Sequence, residues 1–287
     1  MNSASTLWSK IPVVIRAVIN GFIVQIAGFL ILMIAVSANF KFLPEVPWAI
    51  VPLGVGLLAY WVYFGGQGWP KCTAGLRRHY RRSHPLRSHD RLMIIVAVIL
   101  FAVTLECVAI LQYAYWEMPP EALGMAAGLA DLPLWSSIPL ALATAFFVGV
   151  GEEMSFRGYM QVPIEDRHGP WLGLTVPALF FALAHGLDPH VLPIFFVASL
   201  GWGFIAWKAN SIRPGIMAHT AIDAAAFLWA IFNLKGLQGL LKYSIQQDGF
   251  TPGYRALAIV AAVLVVATLT AFALLRRPRI TLRASES

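Results

Sequence analysis

Long apolar segments, separated by short polar ones, follow one another along the whole chain of 287 residues. A membrane-spanning helix needs roughly 17–25 residues, and eight of these segments are long enough to hold one. They lie near residues 12–38, 47–64, 92–116, 136–161, 171–187, 191–208, 213–233 and 255–275. No polar segment between them is long enough for a separate soluble domain. The pattern therefore predicts an all-α polytopic membrane protein, with residues 1–287 forming one integral membrane domain of about eight transmembrane helices in one bundle.

The composition agrees with this prediction, and the distribution of charge orients the bundle. Hydrophobic residues make up 59% of the chain and charged residues 12%, against roughly 45–50% and about 25% in soluble proteins. Basic residues, which favour the cytoplasmic side, are concentrated at 65–91 and after residue 275, whereas 117–135 carries three acids and no base. We therefore expect 65–91, the turn at 162–170, Lys208–Arg213 and both termini on the cytoplasmic side of the plasma (inner) membrane. The net charge of +7 is then explained by basic residues that lie on the cytoplasmic side, next to the anionic lipids of the bilayer. We expect no nucleic acid partner.

Two adjacent acids, Glu152 and Glu153, lie inside the fourth apolar segment, with Arg157 one turn further on. A charge at this depth costs a few kcal/mol and persists where it faces a protein interior or a water-filled cavity. Glu153 and Arg157 have i,i+4 spacing and can pair on one helix face, whereas Glu152 is turned about 100° away. The spacing predicts that Glu153 and Arg157 form a structural ion pair and that Glu152 is a free carboxylate facing a cavity.

Small residues precede this pair on the same helix face. Ala141, Ala145 and Gly149 are spaced by four, and the same stripe continues to Glu153. Small residues at this spacing allow two membrane helices to approach closely. We therefore expect this face to pack against another span.

The returning span carries a histidine at a depth that matches Glu152. Glu152 is sixteen residues before His168 and His185 is seventeen after it, so in an antiparallel hairpin both lie about 25 Å from the turn. Phe181 precedes His185 by four residues, on the same face. The two counts predict that Glu152 and His185 can meet.

The seventh span adds His219 and Asp223, again at i,i+4, with Gly215 one turn before. His219 is only six residues from Arg213, which is shallower than the level of Glu152. Either the turn before this span dips into the membrane or the helices tilt. Glu106 in the third span is a further internal acid, either a second functional carboxylate or a protonated acid bonded to a neighbouring span.

Three motifs thus lie in order on three apolar helices: EExxxR at Glu152–Arg157, FxxxH at Phe181–His185 and HxxxD at His219–Asp223. Together they resemble the CPBP (Abi) family of intramembrane proteases, which includes type II CAAX prenyl endopeptidases and bacteriocin-immunity proteins. The resemblance covers about residues 136–233, the CPBP-like catalytic core, and the flanking spans fit the eight-span architecture of the family.

The resemblance implies an intramembrane endopeptidase that hydrolyses a peptide bond of a membrane-embedded or lipid-tethered polypeptide. It implies that Glu152 activates a water with help from His185, while His219 and Asp223 stabilise the oxyanion. The residues expected to support the site are Glu153, Arg157 and Phe181. The last motif position often carries Asn in the prenyl-protease branch. Asp223, found there instead, could be protonated, orient His219 or bind a metal.

A glutamate mechanism of this kind needs no cofactor, and we favour it. A divalent metal such as zinc is the alternative, because two His and carboxylates can bind it; its candidate ligands are Glu152, His185, His219 and Asp223. Three other functions stay open. One is a non-catalytic immunity or regulatory membrane protein. Another is a proton-coupled transporter, since the same residue types form proton relays, although the chain lacks the internal repeat typical of transporters. The third is a b-type haem protein with His185 and His219 as axial ligands, although this function leaves the two glutamates without a role.

Overall fold

The computed structural model describes residues 8–86, 88–116, 124–189, 191–234 and 245–276. The described residues form helices, and their one isolated antiparallel bridge joins Ser83 to Ser211. In chain order the helices are α1 (Val13–Lys41), α2 (Ile50–Phe64), α3 (Ala74–Arg81), α4 (Ser88–Trp116), α5 (Gly124–Ala130), α6 (Leu134–Glu152), a π-helix (Glu153–Met160), α7 (Gln161–His168), α8 (Pro170–Ala184), α9 (Leu192–Ala209), α10 (Arg213–Leu234), α11 (Ile245–Asp248) and α12 (Pro252–Leu274).

Six segments among the described residues are long and apolar enough to cross a membrane: Val13–Lys41, Asp90–Gln112, Leu134–His168, Leu192–Ala209, Arg213–Phe232 and Pro252–Leu274. The second and fifth predicted spans correspond to α2 and α8, which are apolar but have only 15 residues each. A helix of that length extends about 22 Å, whereas the hydrocarbon core is about 30 Å thick. The all-α polytopic fold is confirmed, and eight is an approximate count of its spans.

The fourth span differs most from its prediction. α6, the π-helix and α7 form one helical segment of 35 residues, Leu134–His168, so the turn predicted at 162–170 is shorter than expected and lies at Gly169. Pro163 does not end the helix because it lies just after the π-helix, where the backbone hydrogen-bond ladder changes register. The chain reverses at Gly169, whose φ of +85° is a conformation that glycine adopts without a steric penalty.

The small-residue stripe packs as predicted. Ala141 and Ala145 are fully buried. A Cβ added to Gly149 would lie 2.6 Å from Thr220 Oγ1 and 3.3 Å from the Ile216 carbonyl oxygen. The absence of side chains here lets α6 and α10 approach closely, and this contact places the acids of α6 beside the HxxxD motif of α10.

The π-helix lies at the centre of the bundle, and all eight of its residues are buried. It contacts α1, α3, α8 and α9. The Tyr80 carbonyl oxygen approaches so closely that a Cβ added to Gly158 would lie 2.6 Å from it. Wide helical turns of this type occur often at functional sites.

The segment after α3 ties the start of α10 to this central region. The Ile212 N–H donates to the Arg82 carbonyl at 3.0 Å, and the Ser211 hydroxyl donates to the His84 carbonyl at 2.6 Å. The Arg82 guanidinium donates to both carboxylate oxygens of buried Glu165, at 2.8 and 2.9 Å. Gly215, two residues after Arg213, already contacts Glu153 at the start of the π-helix, which accounts for the short distance along the chain from Arg213 to His219.

Candidate active site

The Glu152 carboxylate lies at the centre of a cluster of polar side chains from four helices. Gln25 Nε2 of α1 donates to its Oε1 at 3.3 Å. Its Oε2 lies 3.5 Å from His219 Nε2 and 4.0 Å from His185 Nε2. Within the described part of the chain this oxygen accepts no hydrogen bond, although it is buried. One oxygen of Glu152 is thus anchored, and the other faces two imidazoles.

His185 immediately follows the last residue of α8, and its ring is fixed by its own helix. Its Nδ1 lies 2.8 Å from the Phe181 carbonyl oxygen. Because a carbonyl only accepts, Nδ1 must carry the proton, and in the neutral ring Nε2 is therefore the acceptor. The ring stacks on Phe195, with centroids 4.1 Å apart, and also contacts the Phe181 ring at 4.4 Å. Phe181, a predicted supporting residue, thus orients His185 through both its backbone and its ring.

His219 lies between three carboxylates. Its Nδ1 is 3.2 Å from Glu153 Oε1, and its Nε2 is 3.5 Å from Glu152 Oε2 and 3.7 Å from Asp223 Oδ2. The ring stacks on Trp202, with centroids 4.4 Å apart and planes 12° from parallel. Since Nδ1 forms its hydrogen bond with Glu153, Nε2 is the nitrogen that faces Glu152 and Asp223.

Glu153 and Arg157 form the ion pair that their spacing predicted, and both side chains are buried. Glu153 Oε1 lies 3.2 Å from Arg157 Nη1, and Arg157 Nη2 donates to Ser199 Oγ at 3.0 Å. The guanidinium carbon lies 4.6 Å from the centroid of the Phe181 ring, a cation–π distance. A buried charge needs such partners, and Glu153 has two, because the same oxygen also binds His219. The predicted structural ion pair therefore also holds His219 in place.

The backbone of α10 makes room for this carboxylate. A Cβ added to Gly215 would lie 2.4 Å from Glu153 Oε2. A side chain at this position would displace the carboxylate that binds His219. Gly215 thus contributes to the site because its lack of a side chain leaves room for the Glu153 carboxylate.

The exposed fraction of the side chains differs across the cluster, and this difference shows which side of the cluster is accessible from outside. The side chains of Glu153 and His219 are 0% and 4% exposed, whereas those of Asp223 and His185 are 23% and 26% exposed, with Glu152 intermediate at 12%. The opening is therefore on the side of His185 and Asp223.

The four residues predicted as catalytic, Glu152, His185, His219 and Asp223, are thus brought together. The sequence analysis missed three partners: Gln25, Ser199 and Trp202. Gln25 carried a usable signal, because it is an amide in an otherwise apolar span. Trp202 and Ser199 carried none, since both residue types are common in such helices.

The four predicted ligands of a divalent metal, Glu152, His185, His219 and Asp223, lie in one cluster. Among the described residues, no group of three or more His, Cys, Asp or Glu side chains is arranged to hold a metal ion. Glu153 and Phe181 hold the Nδ1 atoms of the two histidines, so both Nε2 atoms face Glu152. Partners of this kind also orient histidines that bind a metal, so a divalent metal stays the alternative to the glutamate mechanism.

Comparison with known proteins agrees with the arrangement. The family model described as type II CAAX prenyl endopeptidase Rce1-like matches residues 134–225, which run from the start of α6 to just past Asp223. This match confirms the resemblance to the CPBP intramembrane proteases and supports a CAAX-type intramembrane endopeptidase in general. The comparisons with curated proteins and with solved structures gave no match.

Proposed function

We propose that the chain is an endopeptidase that hydrolyses a peptide bond of a membrane-embedded or lipid-tethered polypeptide, with Glu152 as general base. The observation that carries this proposal is the position of Glu152 Oε2. It is buried, it accepts no hydrogen bond from the described residues, and it lies 4.0 Å from His185 Nε2. That separation is too long for a direct hydrogen bond and suits one bridging water.

In the proposed first step, a water donates one hydrogen bond to Glu152 Oε2 and the other to His185 Nε2. Both atoms are acceptors, because Gln25 holds the other Glu152 oxygen and His185 Nδ1 donates to Phe181. Glu152 takes a proton as the water oxygen attacks the scissile carbonyl carbon. The C–O bond forms, and the electron pair of the carbonyl moves onto its oxygen.

In the second step, His219 stabilises that oxyanion. In this mechanism His219, surrounded by three carboxylates, is an imidazolium. Its Nδ1–H donates to Glu153 at 3.2 Å, and its Nε2–H is the group available to the oxyanion. Such a preorganised donor contributes about 3–4 kcal/mol of transition-state stabilisation. Asp223, 3.7 Å from the same nitrogen, keeps the proton on Nε2. The intermediate then collapses: the C–N bond breaks and Glu152 returns its proton to the leaving nitrogen, giving a new carboxyl terminus and a new amino terminus.

The substrate class follows from the surroundings. The cluster lies among helices long and apolar enough to span a membrane, and it opens at His185 and Asp223. A substrate must therefore reach it from within or beside the bilayer, as a membrane segment or a lipid-tethered peptide does. A prenylated CAAX peptide fits this class. We further propose an inner-membrane location with the basic segment 65–91 facing the cytoplasm.

The decisive test maps new protein termini in membranes from cells that produce either the wild type or Glu152→Gln. The substitution removes the base and keeps the side-chain shape. Glu45→Gln, at an exposed position, is the matched control for the same chemical change. We expect termini within or beside apolar segments in the wild type and in the control, and their loss in Glu152→Gln at unchanged protein yield.

Other outcomes would redirect the assignment. If no termini depend on Glu152 and the cellular phenotype survives Glu152→Gln, the chain acts by binding, as an immunity or regulatory protein. If Glu152→Gln instead abolishes proton flux into reconstituted vesicles, the proton-coupled transporter gains support.

A further inference from the structure

We infer that the groove between α2, α6 and α10 is a binding site for an anionic phospholipid, separate from the proposed active site. The groove has a volume of about 800 Å³ and an apolar lining from all three helices. Residues 50–61 of α2 form one wall, a length of about 16 Å at about 1.5 Å per residue. Such a groove is long enough for much of an acyl chain.

The groove is open along its length. Leu58 and Met217, which line it, are 64% and 72% exposed. A Cβ added to Gly54, in the middle of the α2 wall, would meet no atom within 4 Å. The wall therefore has room for a ligand, and its lining suits a hydrocarbon chain.

One end of the groove is cationic. Arg213 lines it directly, and Arg81 lies beside it, with its guanidinium carbon 4.6 Å from the centroid of the lining Trp61 and its Nη1 donating to the Trp61 carbonyl at 3.1 Å. Arg213 Nε donates to a neutral group, Ser83 Oγ, at 3.1 Å. Guanidinium groups bind phosphate oxygens in a bidentate manner.

The acids of this region do not neutralise these two arginines. Asp166 pairs with His79 at 2.7 Å, and Glu165 binds Arg82 through both oxygens. Burial, and then the neighbouring Arg213 charge, lower the pKa of Arg81. Among the described residues, no carboxylate therefore forms an ion pair with either arginine.

The two features fit one ligand. A phospholipid places a phosphate at the membrane interface and acyl chains in the hydrocarbon core, and basic pockets between membrane helices bind anionic headgroups. Free phosphate would use the arginines but not the groove, and a zwitterionic lipid would use the groove but gain less from the arginines. The combination therefore selects an anionic phospholipid.

The test uses the full chain in nanodiscs with equal amounts of phosphatidylglycerol and phosphatidylcholine, and counts the lipids retained by native mass spectrometry. We expect the wild type to retain phosphatidylglycerol preferentially and R81Q/R213Q to lose that preference by about tenfold or more, since each basic residue near the surface contributes to anionic-lipid binding. R91Q/R167Q removes the same charge at exposed positions that do not line the groove and should behave as the wild type.

A second variant tests the groove itself and does not depend on the arginines. Gly54→Phe fills the open wall and should lower the retention of both lipids. An unchanged preference in R81Q/R213Q, or an equal loss in R91Q/R167Q, would refute the site. Displacement of phosphatidylglycerol by millimolar inorganic phosphate, with no effect of Gly54→Phe, would identify a simple anion site and also overturn the proposal.

Discussion

Replacing Gly215 with alanine should disconnect Glu153 from His219 without unfolding the bundle. The added Cβ would lie 2.4 Å from Glu153 Oε2 and 3.0 Å from its Cδ. An ordinary contact is at least about 1 Å longer, so the carboxylate must move by about that much. Its other oxygen lies 3.2 Å from both Arg157 Nη1 and His219 Nδ1, and a shift of this size lengthens these contacts beyond hydrogen-bond range.

The expected effects on activity and stability differ in size. A misplacement of about 1 Å in a catalytic arrangement costs roughly 100-fold in rate. Weakening a hydrogen bond to a charged group costs about 1.5–3 kcal/mol, and replacing glycine in a helix offsets about 0.5–1 kcal/mol of that. We therefore expect the free energy of unfolding of Gly215→Ala to fall by only about 1–2 kcal/mol while cleavage falls about 100-fold.

The assay measures hydrolysis of a lipid-tethered CAAX peptide in detergent or nanodiscs, together with thermal unfolding of the same samples. Gly54→Ala is the matched control, because it makes the same change in an apolar helix where the new Cβ meets nothing within 4 Å. We expect the control to keep full activity. If Gly215→Ala and Gly54→Ala are indistinguishable in both measurements, the contact between α10 and Glu153 does not control His219.

Three further predictions test the partners of the cluster. Arg157→Ala should lower the unfolding free energy by roughly 3–5 kcal/mol, because it leaves Glu153 buried without its counter-charge; a thermal transition equal to that of the wild type would contradict this. Gln25→Leu removes the donor to Glu152 Oε1 and should reduce peptide cleavage about tenfold while changing stability by about 1 kcal/mol; unaltered cleavage would show that Gln25 does not orient the base. Treatment with a strong chelator, followed by removal of the chelator, should leave cleavage intact, and activity lost on chelation and restored by zinc would require a metal mechanism.

The sequence predicted those features of the site that depend on counting residues. Glu152 and His185 come close because they are nearly equidistant from the reversal at Gly169, which lies next to His168. The stripe ending at Gly149 identified the face of α6 that packs on α10. Both predictions need only helical periodicity and the length of a hairpin, which the order of residues determines directly.

The features that could not be predicted depend on contacts between distant segments. The π-helix is one, since nothing in its apolar pattern separates it from an α-helix, and its close contact with the Tyr80 carbonyl comes from a segment more than seventy residues earlier. The hydrogen bond from Gln25 to Glu152 is another, since the two residues are 127 positions apart in the chain. The predicted ion pair of Glu153 and Arg157 was incomplete for the same reason, because α10 brings His219 to the oxygen that already binds Arg157.

The two adjacent glutamates test whether environment, and not residue type, assigns their roles. Glu153 is fully buried, and one of its oxygens is shared by Arg157 and His219, so Glu153→Gln removes the negative charge that both partners need. We expect it to lower the unfolding free energy by roughly 3–5 kcal/mol and to lower cleavage with it. Glu152→Gln should abolish cleavage because it removes the base. Its stability should change little, since the remaining amide oxygen can still accept a hydrogen bond from Gln25 and Oε2 of Glu152 forms none with the described residues. Thermal unfolding and peptide cleavage measured on both variants separate the cases. The opposite pattern, an unfolded Glu152→Gln and a stable but inactive Glu153→Gln, would assign the base to Glu153.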